Sequence, residues 1–329
     1  LFLARYINSI ATFILPMNMN ATLRKATLSV LVITALLLLG WYINNSPQPL
    51  STPPALTATL PAANPPAGMQ LYQLPTGVNH RTAAFAYRGG SFFDKREFTM
   101  AAILIKHPKG DLLIDGGFGK NVKQHFATMP WYFRAVTDFA PGVPVIEQLQ
   151  LAGYIPDSIK NILLTHAHWD HVSGIEDFSS TPVQVSQPEL QFINSGNKLC
   201  QLAQSINPAR YKPYQFEEKP YLGFDKSYDY YADGSVVIVP APGHTPGSVI
   251  VFVNTPDGKR YAFIGDLAWQ AEGVTQLEER PLLQSTLGDF DRAGVQDNLR
   301  RVYAIAEKYP QIVIVPAHDA RPIAGIPAL

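Results

Sequence analysis

Four groups able to bind a metal ion fall within six consecutive residues, His166-Ala167-His168-Trp169-Asp170-His171. Histidines two apart on an extended segment point to one side, so His166 and His168 can reach the same ion. Asp170 and His171 are adjacent and cannot both turn toward that ion in this geometry. They are placed to serve a second ion a few ångströms away. Three further donors, His244, Asp266 and His318, follow downstream. Together these nitrogen and oxygen donors suffice for two divalent ions with about three or four ligands each, one carboxylate being shared, and leave a position for solvent. The chain has 8 histidines, and the three outside this set, His80, His107 and His125, read as ordinary surface or core residues. The single cysteine, Cys200, excludes a disulfide within the chain and a site built from several thiolates. Imidazole and carboxylate must therefore hold any metal, which suits Zn²⁺, although manganese, cobalt or iron could occupy the same donors.

A pair of divalent ions lowers the pKa of bound water toward ~7 and so makes hydroxide available at neutral pH. The chemistry expected is metal-assisted hydrolysis. The donors need rigid support, and four short apolar runs supply it: Ile162–Leu164 leads to His166, Val236–Val239 to His244, Tyr261–Ile264 to Asp266, and Ile312–Val315 to His318. Strand ends on a sheet hold side chains more closely than free loops do. Ala101–Ile105 and Leu112–Ile114 flank the turn His107-Pro108-Lys109-Gly110, which predicts a β-hairpin ending at Asp115-Gly116-Gly117. Val295, Leu299, Val302, Tyr303 and Ala306 recur at helical spacing, and Pro310 ends that helix. Strands and helices mixed in this order place the chain in the α/β class, with sheets covered by helices. Two aromatic-rich segments, His125 to Phe139 and Tyr211 to Tyr231, lack periodicity and read as loops or short helices over the site. They are either an apolar wall for an acyl or aromatic substrate or anchors packed on the core. Cys200 reads as a small buried apolar residue of a helix.

The first seventy residues or so are organised differently. No charged residue occurs between Lys25 and His80, and Arg24-Lys25 precede the apolar run LSVLVITALLLLGWYI. Positive charge before such a run is the layout of an export signal or of a membrane anchor. Residues 26–43 are near the shortest length that spans a bilayer, about 17 residues. No small-x-small cleavage site follows directly, which favours an uncleaved anchor over a signal peptide. The reading is therefore an extracytoplasmic protein, periplasmic or held to the membrane by residues 26–43. Residues 1–43 are taken as an extension plus signal or anchor, with 1–16 as an upstream extension of the reading frame. Residues 44–68 contain seven prolines and are expected to be an extended tether that buries little. Residues 69–329 form the catalytic domain. With 26 basic and 26 acidic residues the chain carries no formal net charge, so a nucleic-acid partner is not indicated.

The motifs THAHWDH, PGHTPGS, FIGD and PAHD, in this order and after the hairpin IKHPKGDLLIDGG, resemble the metallo-β-lactamase superfamily in its hydrolase form. The resemblance covers about residues 69–329. It implies an αββα four-layer sandwich with the site at one edge of two sheets. It further implies that His166, His168 and His244 hold one ion, that Asp170, His171 and His318 hold the other, and that Asp266 bridges both. Asp115 would brace the ligand loops without touching metal. Asp170 and Asp266 are the carboxylates expected to act in catalysis, with a bridging hydroxide attacking an ester or lactone carbonyl of a small molecule. A phosphoesterase or phosphotriesterase of the same fold is the alternative. β-Lactamases of this fold commonly have Cys where this chain has Asp266, and glyoxalase II-like members carry a long tail where only Asp319 to Leu329 remain. A non-catalytic metal-binding domain is disfavoured because the whole donor set is intact. The pattern is most similar to N-acyl homoserine lactonases. It departs from them at Trp269, where they usually have Tyr, and at Ser173-Gly174, where they usually have Gly-Gly.

Overall fold

The computed structural model describes residues 20–329 except residue 136. The proposed upstream extension, residues 1–16, lies outside the described residues. The chain divides after Ser46 into two units. The first contains the helix Ala21–Asn45, capped by Asn20, whose side-chain oxygen accepts from the Leu23 backbone N–H at 2.8 Å. Its 25 residues have a mean hydropathy of 2.2 in the most apolar window, none of which is buried. At ~1.5 Å per residue such a helix is long enough to cross a bilayer.

The second unit holds twelve strands in two sheets: β1 Gln70–Thr82, β2 Lys95–Lys106, β3 Asp111–Ile114, β4 Phe139–Pro141, β5 Ile159–Leu163, β6 Val183–Ser186, β7 Tyr211–Tyr214, β8 Tyr228–Asp229, β9 Val236–Pro240, β10 Val249–Asn254, β11 Arg260–Phe263 and β12 Ile312–Val315. One sheet runs β4-β1-β2-β3-β5-β6-β7 and the other β12-β11-β10-β9-β8. In the first, β3, β5, β6 and β7 pair in parallel. In the second, β11 and β12 are parallel and β10 is antiparallel to both β9 and β11. The ends of β5, β9, β11 and β12 consequently open at one edge.

Alternation along the strands explains the layering. Every residue of β10 is buried. Val249, Val251 and Val253 face the other sheet, where they meet Ile105, Leu112 and Leu163. Ile250 and Phe252 face outward under the helix Arg292–Lys308, against Leu299, Val302 and Ile305. Each such side chain contributes about 1.5–3 kcal/mol when fully buried, and Phe252→Ala would cost ~3–5 kcal/mol. The outer face of the first sheet is covered by helices packed on Leu104, Leu113 and Ile162. The architecture is thus helix, sheet, sheet, helix. Tyr211 to Tyr231, expected to be loops or short helices over the site, instead contains the short edge strands β7 and β8. Its aromatics pack into the core: Tyr214 and Tyr231 lie between the sheets, and Tyr221 and Phe224 beneath the outer helix.

The Pro-rich segment also differs from the expected tether. It is extended, as its prolines require, but it is held on the second unit. Leu50, Leu56 and Leu60 pack against the cluster under Arg292–Lys308. Proline-rich backbone leaves carbonyls without partners, and this body supplies donors. Lys308 Nζ donates to the carbonyls of Leu56, Thr57 and Ala58 at 2.9–3.2 Å. The Tyr309 hydroxyl donates to Ala58 at 2.7 Å, and Arg260 donates to Pro61 at 3.0 Å. Removing the strap would delete three half-buried leucines and uncover the apolar surface they cover. A chain starting at residue 69 should be about 3 kcal/mol less stable than one starting at residue 47, given ~1.5–3 kcal/mol per fully buried leucine. That is a loss of roughly 6–12 °C in Tm at this size. Equal melting temperatures for the two fragments would show that the strap contributes nothing.

Candidate metal centre

Each donor leaves a strand end in a loop whose backbone is fixed by its neighbours. After β3 the chain turns at Asp115, which adopts a left-handed conformation with φ of 57°. That turn aims its carboxylate at the loop after β5. Asp115 accepts from the Thr165 backbone N–H and hydroxyl, both at 2.8 Å, and lies 2.8 Å from His171 Nδ1. Gly174 follows the histidine cluster, and a Cβ there would come within 2.1 Å of the Gly116 carbonyl oxygen. Only glycine fits. Ser173 is tolerated because its hydroxyl accepts from the Gly119 N–H at 3.1 Å and meets His125 Nδ1 at 2.9 Å. His125 Nε2 in turn lies 2.7 Å from Glu176. This Ser-His-Glu array has the connectivity of a nucleophilic triad, but Ser173 is fully buried and His125 nearly so. No substrate can reach the hydroxyl, and the array is a brace for the loop.

All seven predicted side chains converge. Donor atoms of His166, His168 and His244 lie within 4.8 Å of one another, as do those of His166, His171 and Asp266, and those of Asp170, His171 and His318. Asp266 is the centre of the group. Its Oδ1 is 3.3 Å from His171 Nε2 and 3.0 Å from His318 Nε2, and its Oδ2 is 3.4 Å from His244 Nε2. The rings are held from behind by their other nitrogen: His171 by Asp115, His244 by Asp289 at 2.8 Å, and His318 by the Thr99 carbonyl at 3.1 Å. Metal-binding histidines are oriented in this way.

The inward atoms test whether the residues fit a metal. Nε2 of His166, His168, His171 and His244 and Oδ1 of Asp266 are buried and make no hydrogen bond. Leaving one such atom unsatisfied costs about 1–3 kcal/mol, and here they share one small volume. The donor set fits cations. Burial and the neighbouring rings hold His166 and His168 well below the ordinary histidine range, so both are the neutral imidazoles that coordination requires. Burial would raise Asp266, but His318 and His171 outweigh it and keep the carboxylate ionised. For His171 burial favours the neutral ring, yet Asp115 and Asp266 overcome it and raise the pKa well above normal. These carboxylates draw positive charge into the pocket.

Several supporting residues carried no sequence signal. Glu189 is almost fully buried and has no cationic partner among the described residues. Its carboxylate accepts from the Ala167 N–H and the Thr245 hydroxyl, both at 2.6 Å, and from the Gly247 N–H at 3.1 Å. It therefore ties the loop of His166 and His168 to the loop of His244. Burial pushes its carboxyl up to about 7. Ser186-Gln187-Pro188-Glu189 has the pattern of a capping box, in which Glu would turn back to its own helix; here it turns inward. Gly247 is required for the contact, since a Cβ would lie 2.1 Å from the Glu189 nitrogen. Arg280 is buried beside the same loops. Its Nη1 is 2.7 Å from Asp289 and 2.9 Å from His244 Nδ1, and its Nη2 donates to the carbonyls of Asp266 and Leu267. The guanidinium lies 4.5 Å over the Trp269 ring, which also stacks on Phe85 at 5.2 Å and meets the edge of Phe98 at 6.1 Å. The Trp269 indole N–H donates to Asp266 Oδ2 at 2.9 Å.

A cavity of about 1180 Å³ opens onto His168, Asp170, His244, Asp266 and His318. Its walls are mainly apolar: Phe85, Phe98, Met129, Phe133, Trp169, Trp269, Leu283 and Leu287. Met129 and Phe133 come from the segment His125 to Phe139, so that segment does form wall. No residue of Tyr211 to Tyr231 lines it.

The family model for the metallo-beta-lactamase superfamily matches residues 99–318. The N-acyl homoserine lactonase AttM of Rhizobium radiobacter is 26% identical over 234 residues, covering 68% of this chain and 82% of that protein. The solved structure of an N-acyl homoserine lactone hydrolase, with its product N-hexanoyl-L-homoserine at the catalytic metal centre, superposes with a TM-score of 0.60 at 18% identity, covering 79% of this chain and 97% of that one. The dizinc quorum-quenching lactonase AidC gives 0.53 at 17% identity, covering 79% and 91%. By its motifs, two-sheet fold and clustered histidines, this chain belongs to the metallo-β-lactamase superfamily and is a metal-dependent hydrolase.

Proposed function

We propose that this chain is a dinuclear hydrolase that opens an ester or lactone carbonyl of a small apolar molecule, and that it works on the outer side of a membrane to which residues 26–43 anchor it. The observation that carries the reading is the set of five buried, inward-facing nitrogen and oxygen atoms without hydrogen-bond partners. His166, His168 and His244 would hold one ion, Asp170, His171 and His318 the second, and Asp266 would be shared. A set rich in imidazole with carboxylate suits zinc, and manganese, cobalt or iron could occupy the same donors. Divalent ions bound there supply a hydroxide nucleophile at neutral pH and polarise the carbonyl oxygen.

The remaining work falls to the chain. Glu189 holds the two histidine loops in register, and Asp289 with Arg280 fixes the His244 ring. The Trp269 indole holds one oxygen of Asp266, which orients the carboxylate. Asp170 lines the cavity and is the most accessible carboxylate of the cluster. It is placed to carry a proton to the departing oxygen. Phe85, Phe98, Met129 and Phe133 accept an alkyl or aromatic group and exclude water. The phosphotriester reading gains from Trp269: its only polar hydrogen is committed to Asp266, so it offers no hydroxyl to a substrate carbonyl.

A panel of lactones, p-nitrophenyl esters and phosphotriesters, assayed with the same zinc-loaded protein, separates these reactions. Turnover should be highest on the carbonyl substrates, and exclusive phosphotriester turnover would reverse the assignment. His168→Ala should lower that turnover by more than the ~100-fold that loss of a supporting partner costs, together with the bound metal. Normal activity and metal content in this variant would contradict the site. Glu189→Gln replaces an acceptor by a donor facing N–H groups. Its affinity for one ion should fall about 10–100-fold, read by competition with a chelator, while the second ion is retained. Unchanged affinity for both would remove Glu189 from the site.

A further inference from the structure

The catalytic unit begins at Pro47, and its first residues are wedged between two loops. Pro47 packs on Gly89, where a Cβ would come within 2.9 Å of the proline ring. Gln48 N–H donates to Glu278 Oε2 at 3.0 Å, and Leu50 N–H donates to the Leu277 carbonyl at 2.8 Å. Both loops run directly into the mouth of the cavity. Beyond Gly89 the chain reaches Phe92 and Phe93, 48% and 97% exposed. It then reaches Lys95, which pairs with Thr82 across β1 and β2, and both of these line the cavity. At ~3.3 Å per extended residue, Phe93 stands within roughly 7 Å of that wall. Beyond Arg280 the helix Leu282–Gly288 presents Leu283 and Leu287, 56% and 47% exposed, which also line the cavity.

The point where the unit receives the chain from the apolar helix, the exposed apolar side chains and the cavity mouth therefore share one rim. A fully exposed phenylalanine forgoes about 1.5–3 kcal/mol of burial, and clustered exposed apolar groups mark interaction surfaces. Aromatic side chains beside a lysine suit the boundary between lipid headgroups and acyl chains. The occupant follows from covalent continuity. A helix long and apolar enough to enter a bilayer is covalently continuous with Pro47 through Ser46, so a weak apolar contact would be made at the high effective concentration that a short link provides.

We propose that the rim formed by Phe92, Phe93, Leu283 and Leu287 docks on a lipid bilayer and opens the cavity to molecules dissolved in it. The proposal rests on the anchor reading of residues 26–43. Lipophilic substrates then reach the metal centre without crossing water.

The test uses the full chain reconstituted in phosphatidylcholine vesicles, with an environment-sensitive NBD label at Phe93→Cys and, separately, at Leu287→Cys. Cys200 is fully buried, so the introduced thiol takes the label. Both positions are exposed, and the substitutions leave the core untouched. Asp257→Cys, on the exposed turn between β10 and β11, is the control. The expected result is blue-shifted emission at 93 and 287, quenched by doxyl groups on the lipid acyl chains, with water-like emission at 257. Water-like emission at all three positions overturns the proposal. Blue-shifted emission that lipid quenchers leave unaffected, but that self-quenches as protein density rises, assigns the rim to a second copy and also overturns it. Protein that fails to co-float with the vesicles overturns the anchor on which the proposal rests. None of these readings depends on metal or turnover, so hydrolysis stands or falls separately.

Discussion

A carboxylate held almost out of water among imidazoles is the constraint on which this structure depends. Asp266 is 6% exposed and lies within 3.4 Å of ring nitrogens from three separate loops. A buried carboxylate is costly unless it is paired, and two of the rings that approach it, His171 and His244, have no hydrogen-bond partner on that side. Neither group is satisfied by the other alone. A cation placed between them would satisfy both. The surrounding structure resists relaxation of this arrangement: Asp115, Asp289 and the Thr99 carbonyl fix the outer nitrogens of the rings.

Two parallel-ended sheets make that possible. The loops after β5, β9, β11 and β12 open on one edge, and cross-links join them there. The Val249 N–H donates to the Thr165 carbonyl and the Ala317 N–H to the Gly265 carbonyl, both at 3.0 Å. Glu189 adds a tie made through an ionisable side chain. Because it bridges the loops of His168 and His244, any shift of one sheet against the other would be felt in donor spacing. The close approaches at Gly174 and Gly247 show how little room these loops leave. Trp269 and Arg280 form the next layer, where stacking, charge and hydrogen bonds support the loop of Asp266.

Much of this was legible in the amino-acid order. The histidine hexapeptide, the three later donors and the strands leading to them stand out because metal chemistry restricts residue type and because central strands are continuously apolar. The strand β1 was not legible. Its alternation is broken between Pro75 and Gly77, where the register with β2 shifts. The edge strands β7 and β8 are short and aromatic, a composition that loops share. Glu189 and Asp289 were hidden because an acidic residue near a helix start or in a loop ordinarily faces water. The strap was misjudged for a different reason: its prolines predict extension correctly, but the carbonyl-seeking Lys308, Tyr309 and Arg260 lie some 200 residues or more away in sequence.

Metal stoichiometry distinguishes a site for two cations from a site for one. The full chain, loaded with zinc and freed of excess, is measured by inductively coupled plasma mass spectrometry beside Asp266→Ala. Two zinc ions per chain are expected, falling to one or none when the shared carboxylate is removed. One ion or none in the unaltered protein, or two retained in the variant, would contradict the two-cation site.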